Sequence, residues 1–369
     1  MSELSWPTWL PLRDDLRAMS PYGAPQIPAD ATLNTNENPY PPSPQLVSAI
    51  AERVKRVAST LNRYPDRDAH TLRKSLADFI NELSGTNFSE NNIWAANGSN
   101  EIIQTLFLAF NQRPALGFIP SYSMHPLIAK VTGVEFIDGG RNPDFTLDID
   151  LAISIITQEK PGLTFITTPN NPTGTVVPLE DIEKLAHATK EVGGLLVIDE
   201  AYAEFSDLIS AVTLLEKYPH LVVIRTMSKA FAFAGARLGY LVSSPELVRS
   251  MFLVRLPYHL SALTQAAAEV ALEYRSELLG TVSKLIGSRI KMAQELESMG
   301  LVVLPSQANF ILFGGFDLPA PQIWQMYLDR GVLIRDVGLS GYLRATIGND
   351  AENEKFIEAT REIRKGDQR

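Results

Sequence analysis

Between about residues 95 and 242 short apolar runs alternate with amphipathic stretches. The runs are 115–119, 134–137, 163–167, 195–198 and 221–224, each four or five residues long and closed by polar, Gly or Pro residues. A strand wet on one face alternates apolar and polar positions. These runs do not alternate, which predicts strands buried on both faces of a mostly parallel sheet covered by helices. A further run, 238–242, adds one more strand. Upstream, Ser43-Pro44 opens a helical period, with Leu46, Val47, Ile50, Val54 and Val57 on one face. Leu72, Leu76, Phe79, Ile80 and Leu83 form the face of a second helix.

The texture changes after residue 256. A helical stretch over 261–299, interrupted near Gly280, is followed by short strands at 301–304, 309–313, 332–335 and 343–347 and by two helices. The first forty residues have no clean period. The pattern therefore predicts an N-terminal arm (1–40), a large α/β domain (41–256) and a small α+β domain (257–369), without internal repeats.

Composition narrows the function. With 369 residues and a net charge of -9, the chain has no basic excess for nucleic acid. It has no cysteine, which excludes disulfide and thiolate chemistry. The start, Met1 to Pro7, lacks a basic segment followed by an apolar one. No apolar run approaches the ~18 residues of a membrane span. A cytoplasmic protein without nucleic-acid or membrane partners is expected. None of His70, His125, His187, His220 and His259 lies three to five residues from another, so no metal site is expected, and each reads as a surface or packing histidine. No P-loop and no Gly-x-Gly-x-x-Gly after a strand is present.

The richest segment is Thr226-Met227-Ser228-Lys229, followed by Arg237 eight residues beyond the lysine. An amine able to form a Schiff base stands beside hydroxyls and a guanidinium able to hold a phosphate. A lone Lys is usually a solvated surface charge, so partners are needed. In open α/β sheets ligands sit at the carboxyl ends of strands. Run 195–198 ends in Asp199-Glu200-Ala201-Tyr202. Asp199 can cap a helix or hold a protonated pyridine nitrogen, and Tyr202 can be a core tyrosine or reach a ring oxygen. Run 163–167 leads to Asn170-Asn171-Pro172, either a plain turn or a side-chain amide aimed at the same oxygen. Asn97-Gly98-Ser99-Asn100 opens an apolar helix, an ordinary start or a phosphate seat. Tyr122 follows another strand end and can stack on a planar ring or fill the core.

Taken together and in this order, these segments resemble the fold-type I pyridoxal-phosphate aminotransferases, and 226–235 fits their class-II lysine motif. Within that group the chain is most similar to histidinol-phosphate aminotransferases, over nearly its whole length. The matching motifs are Tyr22-Gly23-Ala24-Pro25, Asn34-Thr35-Asn36-Glu37-Asn38-Pro39-Tyr40, Arg63-Tyr64-Pro65-Asp66, 96–101 and Leu343-Arg344-Ala345-Thr346-Ile347-Gly348. The resemblance implies pyridoxal 5'-phosphate as cofactor and Lys229 as the lysine that carries it. Asp199 would hold the ring nitrogen, with Asn171 and Tyr202 at the ring oxygen and Tyr122 on the ring face. Gly98, Ser99, Asn100, Thr226, Ser228 and Arg237 would surround the phosphate. Tyr64 would reach the phosphate of a neighbouring subunit, which implies a homodimer. Arg344, Arg335, Asn38 and a mobile Tyr22 would meet the substrate.

The implied reaction exchanges an amino group between histidinol phosphate and 2-oxoglutarate or glutamate. Aromatic amino-acid aminotransferases and threonine-phosphate decarboxylases share nearly all these residues. A fold relative without turnover is the non-enzymatic alternative. One departure stands out: Pro257-Tyr258-His259-Leu260 occupies a place where relatives often show Pro-Phe/Tyr-Asn.

Overall fold

A computed structural model describes residues 6–367. The first five positions, on which part of the leader reading rests, lie outside the described residues. The large domain is built on a seven-stranded sheet, in the spatial order Ile93–Ala96, Gly239–Ser243, Leu221–Thr226, Leu195–Asp199, Leu163–Thr167, Ala115–Gly117 and Phe136–Asp138. Gly239–Ser243 runs antiparallel to both its neighbours, and the other pairings are parallel. The central strands are buried throughout, as their continuous apolar runs require.

Register aligns the functional ends. Thr167 pairs with Asp199. At the other side Gly239 is paired with both Ala96 and Thr226. The turn after Ala96 is thereby placed one strand away from the lysine segment. Ile93–Ala96 is an edge strand that the run pattern does not include.

The small domain carries a four-stranded antiparallel sheet in the order Arg335–Asp336, Tyr342–Thr346, Phe310–Gly314 and Val302–Val303. Helices Ala320–Leu328 and Asp350–Asp367 pack with it. The arm is tied to this domain: Ala31–Thr32 pairs in parallel with Val332–Leu333.

The expected helical stretch is two helices, Ala262–Glu273 and Arg275–Ser298, and the break falls at Tyr274. Gly280 lies inside the second helix. An interior glycine costs a helix about 1 kcal/mol but leaves its hydrogen bonds intact. The first helix packs on Pro44–Ala58, where Arg53 bridges Glu269 at 2.9 Å and Glu273 at 3.0 Å. The chain therefore returns to the first helices before it crosses into the small domain, and the turn at Tyr274 lets the two helices take separate directions.

Candidate active site

A cavity of about 400 Å³ opens where the strand ends of the large sheet meet the small-domain sheet and the arm. Tyr22, Ser99, Asn100, Tyr122, Asn171, Asp199, Tyr202, Thr226, Ser228, Lys229, Arg237, Arg335 and Arg344 all line it. Distant segments thus converge as the strand-end reading expects.

Lys229 is largely withdrawn from water, and its Nζ donates to the Thr35 carbonyl at 3.0 Å. Desolvation, then repulsion from Arg344 and Arg237, lowers its pKa from 10.5 to about 8 against the opposing pull of Glu37. A substantial neutral fraction near neutral pH is what a nucleophilic, proton-moving amine needs.

Asp199 is buried at its strand end and accepts from the Ala201 N–H at 3.1 Å. His125 Nε2 stands 3.3 Å from Asp199 Oδ2, an ion-pair distance without hydrogen-bond alignment. The His125 ring is buried and stacked on Phe165 at 4.6 Å, while Tyr122 meets it edge-on at 5.5 Å. The sequence reading assigns His125 no role. It has one faint signal, its place one helical turn after Tyr122.

The Tyr202 hydroxyl accepts from Asn36 Nδ2 at 2.9 Å and lies 3.4 Å from Asn171 Nδ2. Burial first, against the pull of Arg344, raises its pKa to about 12, so it stays a protonated phenol. Asn36 was only part of a motif, yet it links the domains: its N–H donates to Thr346 Oγ1, whose hydroxyl donates back to Asn36 Oδ1. Asn36 adopts φ 57°, a left-handed backbone that asparagine tolerates better than most residues. Tyr122 donates to Asn100 Oδ1 at 3.0 Å.

Two glycines allow close packing behind Ser99 and Arg237. Gly98 has φ +83°, and a Cβ there would lie 2.7 Å from an Arg237 guanidinium nitrogen. A Cβ on Gly239 would lie 2.5 Å from Ser99 N. The backbone, the start of helix Ser99–Ala109 and Arg237 therefore approach closely enough to share one anion. The Thr226 hydroxyl accepts from Ser228 N and donates to the Leu238 carbonyl, fixing the lysine turn.

Arg335 and Arg344, both on the cavity wall, are paired Cα to Cα on antiparallel strands. Like charges placed opposite each other destabilise a sheet, a cost that an anion bound between them would offset. Arg344 is buried and donates to Asn171 Oδ1 at 2.6 Å and to the Asn34 carbonyl at 2.7 Å, while its Nε has no protein partner. Desolvation foremost, with Arg335 adding to it, lowers its pKa to about 10, which leaves it charged. Arg335 lies over the Tyr22 ring at 6.0 Å.

Three expected residues, Gly98, Asn38 and Tyr64, are not on the cavity wall; Gly98 lies just behind it, against Arg237. Asn38 spends its amide on the Ala230 carbonyl and the Thr281 hydroxyl. Tyr64 is exposed and stacked on Tyr258 at 4.3 Å. Among the described residues no cluster of His, Asp or Glu could hold a metal ion. No helix among them is long and apolar enough to cross a membrane.

An amine, a carboxylate, a phenol and an amide around one cavity, with a guanidinium and a helix start beside them, fit a phosphorylated pyridine aldehyde. They define a fold-type I pyridoxal-phosphate enzyme. Residues 30–359 match the family described as aminotransferase class I and II, and the chain belongs to that family. Within it the chain is a member of the histidinol-phosphate aminotransferases, being 55% identical over 357 residues to the histidinol-phosphate aminotransferase of Mycolicibacterium smegmatis, with 96% of this chain and 93% of that protein covered.

Among solved structures, histidinol-phosphate aminotransferase from Sinorhizobium meliloti in complex with pyridoxal-5'-phosphate superposes with a TM-score of 0.84. It is 24% identical, with 96% of this chain and 98% of that one covered. L-threonine-O-3-phosphate decarboxylase from Porphyromonas gingivalis superposes at 0.75, with 22% identity and 90% and 99% coverage. At such identities the shared fold does not separate the two chemistries.

Proposed function

We propose that this chain is a pyridoxal-phosphate-dependent aminotransferase of histidine biosynthesis, exchanging the amino group between histidinol phosphate and 2-oxoglutarate or glutamate. The observation that carries the reading is that Lys229 and the Arg335–Arg344 pair line one cavity, with Arg344 near enough to Lys229 to repel its charge. The amine handles an amino group, and the arginines accept either a phosphate or a carboxylate. Two arginines suit both anions because a guanidinium presents paired donors to either.

Pyridoxal 5'-phosphate, when bound, supplies the carbonyl that exchanges amino groups and a ring that delocalises the electrons of the cleaved C–H bond. Lys229 Nζ would be the attachment point for that carbonyl, and as a free neutral amine it would accept the proton that leaves the substrate carbon. Asp199 holds a proton on the ring nitrogen, and His125 keeps that carboxylate in place. Tyr202 and Asn171 hold the ring oxygen, and Tyr122 covers the ring face. Gly98, Ser99, Asn100, Thr226, Ser228 and Arg237 seat the phosphate. Arg344 and Arg335 orient the substrate anion so that its reacting carbon faces Lys229, with Tyr22 from the arm excluding water.

The enzyme works as a cytoplasmic homodimer. Tyr64, exposed in the single chain, reaches the phosphate seat of the other protomer.

The deciding experiment is a donor panel of histidinol phosphate, glutamate, phenylalanine and threonine phosphate, followed by the visible absorbance of the bound cofactor and by released carbon dioxide. Bleaching by histidinol phosphate and glutamate, restored by 2-oxoglutarate, is expected. Carbon dioxide from threonine phosphate, or a preference for phenylalanine over histidinol phosphate, would overturn the substrate assignment.

A further inference from the structure

The loop that departs from the usual pattern packs directly behind the phosphate seat. His259 Nε2 lies 2.9 Å from the Ala95 carbonyl, and the His259 carbonyl accepts from Asn97 Nδ2 at 2.9 Å. Its ring stacks on Trp94, with centroids 5.5 Å apart and planes at 22°. These three partners are consecutive or nearly so, on the edge strand Ile93–Ala96 and the turn that follows it. An edge strand leaves one row of backbone groups without a ladder partner. The imidazole meets that need at Ala95.

The rest of the turn is held from within. Asn97 N–H donates to Glu101 Oε2 at 2.6 Å, and Gly98 N–H donates to the Ala96 carbonyl at 2.8 Å. His259 is thus the outside clamp on a turn otherwise closed on itself.

The second ring nitrogen points elsewhere. Nδ1 is 3.4 Å from an Arg255 guanidinium nitrogen, which can only donate. The two partners therefore select one tautomer, with the proton on Nε2 toward Ala95 and Nδ1 accepting. Arg255 also pairs with Asp68 and donates to the Arg67 carbonyl.

We infer that His259 is a positioning residue for the cofactor phosphate: it fixes the Ala95-to-Ser99 turn so that the start of helix Ser99–Ala109 faces the anion before it arrives. The inference rests on the reading of this cavity as a pyridoxal-phosphate site. Its physical basis is preorganisation. Helix-end N–H groups bind an anion well only if their geometry is set beforehand, because ordering them on binding subtracts from affinity. His259 does not line the cavity, so its effect passes through the turn it holds, and that turn leads to the helix start assigned to the phosphate.

The test uses the full chain freed of cofactor and compares the affinity for pyridoxal 5'-phosphate with that for pyridoxal, which lacks the phosphate. His259→Phe keeps a ring on Trp94 but loses the donor, and His259→Gln keeps a donor of similar reach. The expected result is a loss of about tenfold in pyridoxal-phosphate affinity for His259→Phe, the scale of one hydrogen bond's worth of positioning. Pyridoxal affinity should change less than about twofold, and His259→Gln should recover most of the loss. Equal weakening toward both ligands, or an unchanged ratio in His259→Phe, overturns the inference and leaves a packing role. Failure of the unaltered chain to bind pyridoxal phosphate at all would sink the cofactor reading itself, and the inference with it.

Discussion

Arg344 donates to the side-chain oxygen of Asn171 at 2.6 Å, joining the small-domain sheet to the loop beyond strand Leu163–Thr167. With its oxygen so occupied, the Asn171 amide can turn only its NH₂ toward the Tyr202 hydroxyl, which it approaches at 3.4 Å. The arginine proposed for the substrate anion and the amide proposed for the ring oxygen are therefore one hydrogen-bonded unit. Arg344→Lys keeps the charge but cannot serve Asn171, the Asn34 carbonyl and a substrate anion together. It should lower kcat/KM by about 10²-fold for both histidinol phosphate and glutamate, at one to two charge-assisted hydrogen bonds. Steady-state kinetics with each donor checks this, and an effect on one donor alone would contradict the shared anion site.

Lys229→Ala should abolish transamination, by at least about 10³-fold, together with the visible band of the bound cofactor. The cofactor-free protein offers an independent reading of the same residue. Folding lowers the Lys229 pKa from 10.5 to about 8, so it is the charged form that burial penalises. Between those values the unfolded chain holds a proton that the folded chain has released, and stability rises with pH through the window. Lys229→Met should accordingly raise the melting temperature at pH 7, with the gain shrinking as pH climbs from about 8 toward 10.5. A gain that does not vary with pH would show that the amine is not desolvated.

Behind the catalytic strand ends, Arg225 is paired at 2.9 Å with both Glu200 and Glu204, all three being almost fully buried. Desolvation raises the Glu204 pKa, and Arg225 opposes it. Arg225→Met removes the cation and strands two carboxylates, at a cost of about 3–5 kcal/mol. Denaturant unfolding should show a lower midpoint with an unchanged slope. Arg225→Met with Glu204→Gln should recover part of the loss, since one of the stranded charges is gone.

Gly98→Ala forces a side chain into a φ of +83° and within 2.7 Å of the Arg237 guanidinium. The backbone strain alone amounts to about 1–3 kcal/mol, and Arg237 must move away from the phosphate seat. The expected outcome is a cofactor dissociation constant raised at least about tenfold, measured by titrating the cofactor-free protein. An unchanged constant would show that the turn does not seat the phosphate.

The strand ends were legible in the sequence. Apolar runs long enough to be buried on both faces, each followed by polar residues, locate Asp199, Asn171, Thr226 and Tyr122, and parallel pairing places those ends on one side of a sheet. The amine, the carboxylate and the arginines are likewise set by residue type and order along the chain. Other features carried no local sign. Asn36 reaches Tyr202 across 166 residues, and His259 reaches Ala95 across 164. Such contacts depend on which segments the fold brings together, not on any periodicity around either residue. His125 had only its place three residues after Tyr122 as a sign, and its burial beside Asp199 is what distinguishes it from a surface histidine; Asn38 had none for the use of its amide by Ala230 and Thr281. Gly280 carried a misleading sign, because a helix docked along its length tolerates a glycine that propensity alone would make a break. The sequence by itself determined the chemical groups and the order in which strands present them, since hydrophobic pattern and residue type act locally. Tertiary structure alone decided how those groups are aimed, because the hydrogen bonds that fix a side chain come from residues far away along the chain.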